Sequence, residues 1–117
     1  MSQENIRPWG HYDILAGTDT SGYKIKRIIV NPHQKLSLQS HNHRKEVWTV
    51  INGAGEAIKG DTTIPIQTGD TVIIEIKEHH RLINNTDSPL EIIEIQLGDY
   101  LGEDDITRYS DDYGRIP

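Results

Sequence analysis

Short β-branched runs separated by turn residues set the rhythm of this chain, and no long stretch carries the three-and-four spacing of an amphipathic helix. The runs that read as strands are Tyr23–Val30, Leu36–His41, Glu46–Asn52, Gly55–Lys59, Thr62–Ile66, Thr71–Ile76, Arg81–Asn85 and Leu90–Leu97. Between them stand Asn31-Pro32, Asn52-Gly53, Gly60-Asp61, Gly69-Asp70 and Asp87-Ser88-Pro89, each with the chemistry of a tight turn. Many short strands with short connections predict an all-β fold, a double-sheet jelly roll or small barrel. The expected layout is one domain over residues 1–117, with an arm to about residue 22, a barrel to about residue 97 and a tail beyond. In the tail, Tyr100, Leu101, Ile106, Tyr109, Tyr113 and Ile116 offer apolar anchors, which predicts an ordered segment or a short helix.

A chain of 117 residues is long enough to bury a core by itself, roughly two-thirds of its unfolded surface. It has no cysteine, so a metal site here must use imidazole, carboxylate or amide ligands. The net charge of −6 is uneven: residues 98 to 117 hold six acids against two arginines. No basic stripe of the kind nucleic acid requires is present, and no segment is apolar for long enough to be a membrane span or signal peptide. The expected compartment is therefore the cytoplasm, with neither nucleic acid nor membrane as partner.

The informative segment is Gln39-Ser-His41-Asn-His43-Arg-Lys-Glu46-Val-Trp48. Alternate side chains of a strand share a face, so Gln39 and His41 point the same way, and His43 with them if the strand continues. Glu46 opens the next run, which would lie antiparallel and adjacent. Far downstream, Glu78-His79-His80-Arg81-Leu82-Ile83-Asn84 offers a further imidazole.

These two segments resemble the two motifs of the cupin family. Glu46 and Gly53 stand at the spacing of the first motif, which places its histidine positions at Gln39 and His41 and its opening glycine at His33. Gly69, His80 and Asn84 fit the second motif, with Glu75 and Lys77 where the family has proline and glycine. The resemblance implies a cupin-type double-stranded jelly-roll barrel. It also implies one divalent metal ion on Gln39, His41, Glu46 and His80: zinc first, with cobalt, nickel, manganese or iron as alternatives.

Three further segments are similar to type II mannose-6-phosphate isomerase domains: Arg7-Pro-Trp-Gly-His-Tyr12, Leu36 to Trp48, and Tyr100 to Arg108 with Asp112-Tyr-Gly-Arg115 behind it. His80-Arg-Leu-Ile-Asn84 fits the same family. In that family the domain usually follows a mannose-1-phosphate guanylyltransferase domain. The resemblance implies a metal-dependent aldose–ketose isomerase that interconverts mannose 6-phosphate and fructose 6-phosphate through an enediolate. Another cupin enzyme, such as a dioxygenase or epimerase, and a non-catalytic module that binds a sugar phosphate are the competing readings. Within the isomerase reading His43 is the candidate for proton transfer, and Lys35 is a candidate acid–base group or phosphate clamp. Arg44 and Arg108 are candidates for binding the phosphate, and Arg44 also for the catalytic set. Trp9, Trp48 and Tyr100 are read as packing residues, and Glu103-Asp104-Asp105 as a solvated or helix-capping stretch. A hexose phosphate is the expected small-molecule partner, with a homodimer formed through sheet edges.

Overall fold

A computed structural model describes residues 5–114, so Arg115 and Ile116 lie outside the described residues. The fold is an all-β jelly roll of eleven strands: β1 (Ile6–Arg7), β2 (Gly10–Gly17), β3 (Tyr23–Val30), β4 (Leu38–Ser40), β5 (Arg44–Asn52), β6 (Ala54–Lys59), β7 (Thr62–Gln67), β8 (Thr71–Ile74), β9 (His80–Ile83), β10 (Leu90–Gly98) and β11 (Thr107–Ser110). They form a six-stranded sheet in the order β1-β2-β3-β10-β5-β8 and a five-stranded sheet in the order β11-β4-β9-β6-β7. No helix among the described residues is long and apolar enough to cross a membrane.

The period-2 pattern of the long strands explains both sheets. In β3, β5 and β10 every second side chain is buried. The antiparallel register then sorts these inward residues into rows. Ile92 lies across from Ile28 and Val50, which with Val30, Leu82 and Leu90 form a dry core at one end of the barrel. Glu94 lies across from Lys26 and Trp48, and Gln96 from Lys24 and Glu46, so the other end is polar and charged. Buried charges are tolerable only when paired, and that constraint makes this end a site rather than a core.

The segment read as an arm contributes two strands. Gly10 to Gly17 pairs with β3, and a bulge between Ile14 and Ala16 breaks the alternation that a sequence pattern relies on. The run read as Leu36–His41 is a strand only over Leu38–Ser40, and just before it the carbonyl of Leu36 accepts from Arg81 Nε at 2.7 Å. The chain leaves β4 before His43. The tail forms no helix among its described residues. It crosses the barrel mouth as a strap and ends in β11, where Arg108 lies across from Gln39.

The outward face of the six-stranded sheet is apolar for most of its width. Ile25, Val47, Ile93 and Ile95 are half-buried there, and Ile73 and Leu97 are exposed.

Candidate metal centre

Three elements bring the ligands together. β4 and β9 pair so that Gln39 lies across from His80, β5 carries Glu46 on its inward face, and His41 sits in the corner joining β4 to β5. Each buried imidazole has its Nδ1 against a backbone carbonyl. For His41 the acceptor is Asp105 O at 2.6 Å, and for His80 it is Glu78 O at 2.9 Å. A carbonyl only accepts, so both rings carry their proton on Nδ1 and present the Nε2 lone pair to the interior. Those atoms face Glu46: His41 Nε2 is 3.2 Å from Oε2, and His80 Nε2 is 3.8 Å from Oε1. The candidate ligand atoms of His41, Glu46 and His80 all lie within 4.8 Å of one another, and all three residues are buried. Two imidazoles and one carboxylate with a convergent aim fit a divalent metal of the zinc type.

The electrostatics match this chemistry. Burial pushes the Glu46 carboxyl up, but the Arg44 guanidinium beside it outweighs that and holds the group well below the usual carboxylate range. Glu46 is therefore an anion. Arg44 Nε donates to its Oε2 at 2.8 Å and Trp48 Nε1 to its Oε1 at 2.8 Å. Arg44 Nη2 also reaches His41 Nε2, at 3.2 Å. One lone pair serves one partner, so a cation bound at His41 Nε2 requires this last contact to open. His80 is pushed down by burial, which keeps its imidazole neutral. A second buried carboxyl, Glu94, is raised to about 8 by burial and by the negative charge of Glu46, and is thus a protonated acid at neutral pH.

Gln39, His41, Arg44, Glu46, His80 and Arg108 line one cavity. Gln39 Nε2 donates to Ser37 Oγ at 3.0 Å. His43 and Lys35 do not line the cavity. The His43 side chain is 51% exposed and lies 3.4 Å from Asp99, because β4 ends at Ser40 and the following corner turns it outward. Lys35 pairs with Asp112 at 3.2 Å. The cavity wall also contains Arg7, Tyr12, Lys26 and Glu94, which sequence reasoning did not assign to the site, and Glu103, from the run read as solvated or helix-capping. Glu103, half-exposed, accepts from Lys26 Nζ at 2.7 Å; burial would raise it, but the nearby lysine and Arg44 hold it down at about 2. The signal for Glu94 and Gln96 was present, as polar residues at alternate positions within an isoleucine-rich strand. Asp105, in the run read as solvated, is buried.

The family described as mannose-6-phosphate isomerase C-terminal matches residues 1–111. The chain is 46% identical over 113 residues to the alginate biosynthesis protein AlgA of Pseudomonas aeruginosa, covering 96% of this chain and 23% of that protein. It is 45% identical over 109 residues to the xanthan biosynthesis protein XanB of Xanthomonas campestris pv. campestris, covering 93% of this chain and 23% of the other. It is 40% identical to a mannose-1-phosphate guanylyltransferase of Escherichia coli, covering 99% of this chain and 24% of that protein. The chain thus spans about a quarter of the length of these curated relatives. Among solved structures, a double-stranded β-helix protein of Klebsiella pneumoniae matches with a TM-score of 0.73 and 20% identity over 90% of each chain. A cupin 2 conserved barrel protein of Salinispora arenicola matches with a TM-score of 0.67 and 20% identity, over 83% of this chain and 84% of that one. These two establish the cupin fold.

Proposed function

Because the chain belongs to the mannose-6-phosphate isomerase C-terminal family, we propose that it is a metal-dependent aldose–ketose isomerase interconverting mannose 6-phosphate and fructose 6-phosphate. The observation that carries this reading is the convergence of His41, Glu46 and His80 in a cavity whose wall also presents Arg7, Lys26, Arg44 and Arg108. A bare metal site would suit many reactions; a cationic wall beside it suits an anionic, oxygen-rich substrate.

The reaction moves a proton between C1 and C2, with the electrons of the broken C–H bond forming the enediol double bond. In this reading His41, Glu46 and His80, with Gln39 beside them, would hold the metal, which when bound supplies polarisation of the substrate's carbonyl and hydroxyl oxygens. Arg44, held in place by Glu46, directs positive charge toward oxygen that becomes negative during enolisation. The proton carrier must reach the cavity. Glu94 does, from the strand next to Glu46, whereas His43 and Lys35 lie outside the lining. Arg7, Lys26 and Arg108 are the candidates for the phosphate, with Arg108 offering bidentate geometry. The sequence has no glycine-rich phosphate loop, so the nucleotidyl transfer named for the longer relative is not proposed.

The test is to strip the protein with chelator, restore zinc, cobalt or manganese separately, and follow conversion of mannose 6-phosphate to fructose 6-phosphate. Turnover should return with metal and disappear in Glu46→Ala. A folded, metal-loaded protein that turns over with none of the three would leave a sugar-phosphate-binding module as the surviving reading.

A further inference from the structure

The geometry points to Asp105 as the residue that fixes the ligand tautomer of His41. Its carboxylate clamps the corner after β4, accepting the backbone N–H of Asn42 at 3.0 Å and of His43 at 2.9 Å. Its own carbonyl takes the Nδ1 proton of His41 at 2.6 Å. One residue thus holds both the backbone and the ring of a candidate ligand, and it is itself buried. The segment that carries it is anchored independently: Leu101 is fully buried, its N–H donates to Asp19 O at 2.7 Å, and its carbonyl accepts from Lys24 Nζ at 3.0 Å. A free imidazole divides its proton between two nitrogens, and only the Nδ1–H form leaves Nε2 available. Asp105 selects that form before any metal arrives, which makes it a positioning residue.

This inference rests on the reading of His41 as a ligand, but its first test does not need a metal. In metal-free protein at pH 8, the nitrogen chemical shifts of His41 should report the Nδ1–H tautomer. They should move toward a mixture of tautomers in Asp105→Ala, with Asp104→Ala as the unaffected neighbour. Zinc affinity by chelator competition should fall roughly 10- to 100-fold in Asp105→Ala, and by less in Asp105→Asn, which keeps one acceptor. An unchanged tautomer in a folded Asp105→Ala, or an Nε2–H tautomer in the unsubstituted protein, overturns the assignment. If the unsubstituted protein binds no zinc, the metal reading fails, and the tautomer measurement still decides the role of Asp105.

Discussion

Glu94 is the unusual neighbour at the candidate metal centre, a buried acid beside a buried carboxylate, with Lys26 and Arg44 close by. Its raised value gives a definite sign to the pH dependence of the metal-free protein. Between the ordinary carboxylate value of 4.5 and about 8 the folded state holds a proton that the unfolded state has lost, so stability falls as pH rises. His80 works in the opposite direction: its value is lowered, and its contribution rises with pH until the unfolded value of 6.5 is passed. The window from 6.5 to 8 therefore isolates Glu94. Urea unfolding should show a loss on the order of 1 to 2 kcal/mol across that window, and Glu94→Gln should flatten it. Residue chemistry was partly legible in the sequence. His41, Glu46 and His80 were readable because motif spacing places imidazole and carboxylate on neighbouring strands. Glu94 was not readable by the usual convention, in which isoleucines point inward; on β10 Ile93 and Ile95 face outward while Glu94 lines the cavity and Gln96 is buried beside it on the inward face.

Among the elements, the turns are the most instructive. His33 and Lys77 occupy the positions where the related motifs have glycine, and both have left-handed backbone, with φ of 60° and 67°. The Asn31–Gln34 turn closes with Gln34 N–H to Asn31 O at 3.2 Å, and the Glu75–Glu78 turn with Glu78 N–H to Glu75 O at 3.2 Å. The departures in sequence thus leave the turns intact and place side chains where they are strained, by about 1 to 2 kcal/mol each. Part of that strain returns as unfolded-state entropy when glycine is introduced. Lys77→Gly should raise the urea-unfolding free energy by up to about 1 kcal/mol with the site unchanged, and His33→Gly should behave alike, since its contact with Asp87 is solvent-exposed. Strands β3, β5 and β10 were legible from their alternation, while β2 was hidden by its bulge and β11 by a tail whose apolar residues follow no single period.

At the scale of the molecule, two sheets enclose a barrel that is dry at one end and charged at the other, and the expected jelly roll follows from the repeated alternation of short strands. The division into arm, barrel and tail was less legible. Whether a segment joins a sheet depends on distant pairing, as when the N-terminal Gly10–Gly17 finds β3 or Arg108 finds Gln39, and such pairing leaves no local mark. The contact between Asp105 and His41 spans 64 positions in the chain. During synthesis at about 5 to 20 residues per second, the ribosome finishes the first partner roughly 3 to 13 s before the second. Through that interval His41 and Glu46 stand in the nascent chain without the strap that orders them, so the geometry of the candidate site is completed only when the last segment of the barrel is in place.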